Sequence, residues 1–402
     1  MSKIRSIAAA ALGIACMAAA GSASADVKLG ALFPLSGELA LLGEESSRGV
    51  ELAVQEKNEK GGLKNEQIRL LRGDAVDNNQ AIGEARRLIS VEGVKAIFGT
   101  YSSARSVAAS QVSELAGIPY FELVAVSDDI TNRGFKYVFR SNPSSSDFGG
   151  AAVHSIVDLI APTLNVDPKS LNVAIIHEDS VFGSSVSGAQ VAAAKELGLN
   201  IVENLPYAAS TVDMSSIIMR LQQAKADVVL QTSYEKDTIL FLKQSDEIGF
   251  KPKAVVGAGG GYILQPVADA VGHDTMEGAM VVAEAHFDIN PAAAPGLEDF
   301  MTAYKAKYGT GPRSSHSLTS YVGTKAILDA MEQAASFDAD AIRAAVYALD
   351  IPNGQTAVGW GVKFNVKGQN ERAQMLVLQW QNGKLVTVYP EAAAMGKFAL
   401  PN

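Results

Sequence analysis

The sequence predicts an α/β fold built on two mostly parallel sheets, and three observations carry that prediction. Continuous β-type apolar runs alternate with amphipathic stretches of helical length, the whole alternation restarts near residue 173, and the chain exceeds what one hydrophobic core usually supports. Proline- or serine-rich linkers are missing between the two halves, so the expectation is two lobes joined by several crossings rather than separate beads.

The first half opens with a strand over residues 27–33, followed by PLSG and a helix over 49–58 that Lys60-Gly61-Gly62 ends. A strand over 68–72 comes next, then an amphipathic helix over 79–92 with Ala81, Ala85 and Leu88 on one face. A strand over 96–99, a helix over 104–115 and a strand over 120–124 complete this half. The second half repeats the pattern with strands at 173–177, 200–205, 227–231 and 254–257, and helices at 185–197, 214–225 and 237–248. Helices over 296–308 and 316–334 follow, and residues 374–381 and 384–389 read as a strand pair around Asn382-Gly383, a hairpin-turn dipeptide.

At the N-terminus, Lys3 and Arg5 precede an apolar run and the small-x-small site Ala23-Ser24-Ala25, the pattern of a cleavable secretory signal. Cutting after Ala25 takes 25 of the 402 residues and leaves 377 beginning at Asp26. The expectation is therefore an exported, periplasmic protein. The single cysteine, Cys16, lies inside this segment, and Gly13 replaces the bulky aliphatic residue that a lipoprotein signal carries three positions earlier. The mature chain then holds no thiol, which excludes disulfides, zinc–thiolate sites and a cysteine nucleophile. A net charge of −9, or −11 once Lys3 and Arg5 are gone, argues against nucleic acid or an anionic membrane as partner.

Ligands of open parallel sheets sit beyond the carboxyl ends of the strands, so the segments that follow each strand are the ones to inspect. In IFGTYSSARSVAASQ (residues 97–111), Ser102 and Ser103 stand at a helix start, where unpaired amides and a hydroxyl suit a carboxylate or phosphate; an ordinary serine N-cap has the same pattern. Gly257-Ala258-Gly259-Gly260-Gly261 is not a dinucleotide loop, because Tyr262 holds the sixth position and no helix opens at once; it suits close backbone approach to a ligand or to the opposite lobe. Ser233-Tyr234-Glu235-Lys236 matches S-x-x-K without the companion motifs of that chemistry. His177 ends a buried strand with no second histidine at ligand spacing, so no metal is expected. Nothing assembles a nucleophile, a base and an orienting group, and neither an enzyme nor a cofactor is expected. Leu42, Phe148 and Phe182 fall near the predicted cleft, where core packing and contact with an apolar ligand body are both open.

The stretches LFPLSGELALLGEESSRGVELAVQEKNEKGGL (residues 32–63), AIFGTYSSARSVAASQVSELAGIP (96–119), ITNRGFKYVFRS (130–141), VAIIHEDSVFG (173–183) and FKPKAVVGAGG (250–260) stand in the order of the leucine/isoleucine/valine-binding proteins. The chain resembles that family, the type I periplasmic solute-binding proteins of branched-chain amino acid ABC importers, over essentially all of its mature length. The resemblance implies two Rossmann-like lobes joined by three hinge crossings, lobe one at 26–143 plus 286–362 and lobe two at 144–285 plus 363–402. It implies that Ser103 holds a ligand carboxylate with hydroxyl and amide, that Tyr101-Ser102 shapes the same loop, and that the backbone of Val124 and Val126 supplies a carbonyl and an amide. By the same resemblance Tyr234 enters from the second lobe, Leu42 and Phe182 occupy positions that pack on the ligand side chain, and Gly259 belongs to the approaching glycine run.

Two positions depart from the family. Its threonine falls on Val126 and its ammonium-pairing glutamate on Ala258, so either Glu122 or Glu235 substitutes as the acid or the ligand has no α-ammonium. The expected function is capture of a small hydrophobic amino acid or related carboxylate by a monomeric receptor that delivers it to an ABC permease in the inner membrane. An aromatic or other non-amino carboxylate, and a sensor module for a membrane receptor, are the alternatives.

Overall fold

The computed structural model describes residues 26–400; the secretory signal expected from sequence, with Cys16, lies outside the described residues. The first sheet has the order β2-β1-β3-β4-β5, with β1 Val27–Phe33, β2 Ile68–Asp74, β3 Ile97–Gly99, β4 Tyr120–Glu122 and β5 Val138–Arg140, every pairing parallel. In the second, β6 is Asn172–Glu178, β7 Asn200–Tyr207, β8 Val228–Thr232, β9 Ala254–Ala258, β10 Met280–Ala283, β11 Leu376–Gln381 and β12 Lys384–Tyr389. Its order is β12-β11-β10-β9-β8-β6-β7, parallel from β7 to β10 and antiparallel at β11 and β12.

The central strands are buried along nearly their whole length because helices cover both faces, which is why they read as unbroken apolar runs. At the sheet edge β7 shows a mixed pattern instead. The turn between β11 and β12 has positive φ at Asn382 (52°) and Gly383 (73°), as a two-residue hairpin of this twist requires. Among the described residues no helix is long and apolar enough to cross a membrane.

Several elements differ from the sequence reading. The first helix begins at Ala40 rather than at 49, because its polar opening turns face protein: buried Glu45 accepts the Tyr304 hydroxyl at 2.9 and 3.0 Å and the Arg313 amide at 3.1 Å. The helix Ser145–Ser155 has no counterpart in the sequence reading, although Ser144 and Asp147 form a capping box at its start. The short strands β5 and β10 are likewise additions, and residues 123–124 leave the sheet after β4.

Candidate functional site

β3 ends at Gly99, and Tyr101 adopts a positive φ (99°) before the helix Ser103–Leu115 begins. Ser102 is the N-cap, and the first amide to bond back within the helix is that of Ser106, to the Ser102 carbonyl at 2.9 Å. The amides of residues 103–105 therefore have no intrahelical acceptor. Ser103 Oγ accepts the Ser127 amide at 3.2 Å, which leaves its own hydrogen to donate.

The opposing wall is the segment after β4. Buried Glu122 accepts the amides of Leu123 (3.1 Å), Val124 (3.0 Å) and Ala125 (2.7 Å) on one oxygen and that of Thr100 (2.6 Å) on the other. This corrects one sequence expectation: Glu122 cannot serve as the free acid for a ligand ammonium, because its lone pairs shape the two loops of the first sheet and it does not line the cavity. Arg140 is the second organiser. Its guanidinium donates to the carbonyls of Val126 (2.5 Å) and Ser127 (2.6 Å) and to Gln369 Oε1 (2.6 Å). Burial lowers its pKa to about 10, so it stays charged at neutral pH. Asn142 Nδ2 donates to the Val124 carbonyl at 2.8 Å.

The second sheet contributes aromatic rings. Ser180 caps the helix Val181–Leu197 by accepting the Phe182 amide at 3.2 Å, which sets Phe182 in the first turn. Tyr234 opens the helix Glu235–Ile248 with its amide bonded to Asp237 at 2.9 Å. The rings of Phe182 and Tyr234 lie 5.3 Å apart, Tyr234 and Tyr101 6.3 Å, and Tyr101 and the imidazole of His316 5.1 Å, edge to face. A Cβ built on Gly260 would stand 2.8 Å from both Leu42 Cδ1 and the Tyr101 hydroxyl, so any larger residue here must displace the ends of both side chains where the two sheets' loops approach.

These groups surround a cavity with about 420 Å³ of space among its walls, part of it open to solvent. Tyr101, Ser103, Val124, Val126, Phe148, Phe182, Tyr234 and Gly259, all expected from sequence, line it. Leu42 and Ser102 line an adjoining outer groove with Arg105 and Glu235, and Tyr234 stands between the two spaces. Ala258 is buried at the end of β9 and lines neither, so with Glu122 it leaves the set of contact residues; Glu235 faces the groove, not the cavity.

The sequence reading missed Glu284 and His316, together with Ala125, Gly260, Ile263, Val282 and Ala283. The signal for Glu284 was an acid directly after the apolar run Met280-Val281-Val282-Ala283. Its carboxylate is buried, and Oε1 has no hydrogen-bond partner: His316 Nε2 lies 3.2 Å away but out of line for a hydrogen bond. Desolvation lifts the Glu284 pKa to about 7 and pushes that of His316 down to about 3. Among the described residues no group of three or more side chains could hold a metal. The Ser103 hydroxyl oxygen accepts the Ser127 amide, so its hydrogen remains to donate to a ligand acceptor.

Residues 26–384 match the family model described as periplasmic binding protein. Two proteins of Brucella suis, Leu/Ile/Val-binding protein homologs 7 and 8, are each 58% identical to the chain, over 387 and 389 residues. The alignments cover 96% of this chain in both cases, and 97% and 96% of the relatives. Among solved structures, the leucine-binding protein LivK of Thermotoga maritima superposes with a TM-score of 0.78 at 22% identity, covering 92% of this chain and 98% of its own. The substrate-binding protein LivJ of Streptococcus pneumoniae in complex with isoleucine gives 0.77 at 19% identity, over 94% and 100%.

Proposed function

From the premise that the chain belongs to the periplasmic binding protein family, we propose that it is the exported, monomeric receptor of an ABC importer. In this reading it captures a small carboxylate with an apolar body between two lobes and delivers it to a permease in the inner membrane. The lobes are proposed as 26–143 with 286–362 and 144–285 with 363–402; Asn370 Nδ2 donates to the carbonyls of Ser141 (2.8 Å) and Gly361 (2.9 Å), each beside a proposed crossing. Family relatives are substrate-binding proteins of transporters, and the reading assigns no catalysis to this one.

The single observation that carries it is one cavity walled by both sheets' loops, with an amide-rich helix start on one side and Phe182 and Tyr234 on the other. Amides and a hydroxyl hold the carboxylate, and the rings cover the body. Because a ligand shifts an opening–closing equilibrium only through contacts it makes better in one state, groups from both sides are needed for closure. The test is calorimetric titration of Ser103→Ala with the ligand found in a thermal-shift screen of amino and organic acids. Loss of about 1–3 kcal/mol is expected for a hydrogen bond to a charged group; unchanged affinity removes Ser103 from the site. A carboxylate without an ammonium is the second reading, and it rests on Ala258 standing where the family resemblance implies an acid.

A further inference from the structure

Glu284 is the polar group of the cavity that the carboxylate-and-apolar-body reading leaves without a role. It follows β10 directly, and the Trp360 indole donates to its backbone carbonyl at 2.9 Å, which fixes the main chain. The groups that face its carboxylate are His316 from the helix His316–Gln333, Tyr101 from the loop before the helix Ser103–Leu115, and Tyr234 beyond Tyr101. His316 Nδ1 is engaged with Ser314 Oγ at 2.6 Å, and Ser314 Oγ also accepts the His316 amide at 3.3 Å. The serine proton is then free for Nδ1, which leaves the ring hydrogen on Nε2, out of line with the carboxylate oxygen it approaches. Burial keeps the imidazole neutral and both tyrosine hydroxyls protonated around neutral pH. His316 is the one basic group within 4.0 Å of Glu284 among the described residues, and it is uncharged.

An ionised carboxylate in this position lacks a counter-charge, while a cation entering the cavity meets both the carboxylate and the faces of several aromatic rings. We propose that Glu284 is the receptor for a cationic nitrogen, so that the ligand is zwitterionic, with its carboxylate on the start of the helix Ser103–Leu115 and its ammonium on Glu284. The inference rests on the reading of this cavity as the ligand site. It supplies from the end of β10 the acid that Ala258 does not provide, and it separates amino acids from hydroxy and keto acids of the same shape, which leave the carboxylate unpaired.

A second consequence follows from proton linkage. In the free protein Glu284 titrates near 7, raised by burial. An ammonium ligand draws it to the ionised form, so binding at pH 7 releases about half a proton, and affinity weakens about tenfold per pH unit on the acid side until the complex itself takes up the proton.

The experiment is isothermal calorimetry on the mature chain with the common amino acids and their 2-hydroxy and 2-oxo counterparts. Wild type and Glu284→Gln are compared at pH 5.5 and 7.5 in buffers of contrasting ionisation enthalpy, with circular dichroism to verify folding. The expected result is an amino acid that binds with proton release, binds about 25-fold more weakly at pH 5.5, and loses about 100-fold in affinity in Glu284→Gln. Its deaminated counterparts bind poorly to wild type. Equal binding of a deaminated counterpart, absence of proton release, or full affinity in a folded Glu284→Gln overturns the assignment while the small-carboxylate reading stands. Binding of neither set defeats the reading of the cavity and takes the assignment with it. Should Glu284→Gln fail to fold, proton release and the counterpart series on wild type decide.

Discussion

Replacing Glu284 by Gln should change the stability of the free protein in a pH-dependent way that no loss of packing can mimic. The structure lifts the carboxyl from its ordinary 4.5 to about 7 through burial. Each tenfold change in proton affinity corresponds to about 1.4 kcal/mol, so carrying the ionised group in the native state costs about 3 kcal/mol at alkaline pH. The direction follows from proton counts: between pH 4.5 and 7 the native protein holds a proton that the unfolded chain has released, so this group's contribution to stability falls as pH rises through that interval. Glutamine keeps the shape and cannot ionise. The variant should therefore match wild type near pH 4.5, apart from a constant offset, and gain about 3 kcal/mol relative to it by pH 8. Urea unfolding of both ligand-free proteins across that range measures the difference. A difference that stays constant with pH would show that Glu284 is not desolvated and would refute the reasoning.

Two other substitutions probe how the site is held. Arg140→Met should destabilise the fold by about 3–5 kcal/mol in urea titration, because it strips the guanidinium from the buried carbonyl of Ser127 and leaves that of Val126 with the Ser145 amide alone; a loss under 1 kcal/mol would mean that other donors already hold that loop. Gly260→Ala places a methyl 2.8 Å from Leu42 Cδ1 and the Tyr101 hydroxyl. It should weaken ligand binding at least tenfold, about 1.4 kcal/mol, with little change in the unfolding of the ligand-free protein; unaltered affinity would show that the loops do not meet in the bound state.

What could be read from the chain follows the physics of each element. The buried parallel strands were legible because apolar residues on both faces leave an unbroken run, as in Val173-Ala174-Ile175-Ile176, and the hairpin was legible because Asn382-Gly383 suits its positive φ values. The beginning of the first helix was not, since buried Glu45 is satisfied by Tyr304 and Arg313 far along the sequence, while buried Ser46 and Ser47 bond locally to Leu42 and Glu51, where local polarity argues for a loop. Strand β5 has only three residues and takes its place from pairing with β4 and from the nearby Gly368 carbonyl, which Arg140 N–H reaches at 2.8 Å. Within the site, the helix start and the aromatic rings were recoverable because they follow strands directly. Glu122 was misjudged: an acid after a strand looks available in sequence, and only the turn of residues 123–125 reveals that the backbone consumes it. Glu284 and His316 escaped because they are 32 positions apart and acquire meaning only through their 3.2 Å approach.

The most direct test of the central claim is a crystal structure of the mature protein with the amino or organic acid that raises its melting temperature most. The account predicts a carboxylate against Ser103 and the amides of residues 103–105, with the ligand body between Phe182 and Tyr234. A ligand seated in the outer groove beside Arg105 and Glu235, with the Ser103 turn untouched, would contradict it.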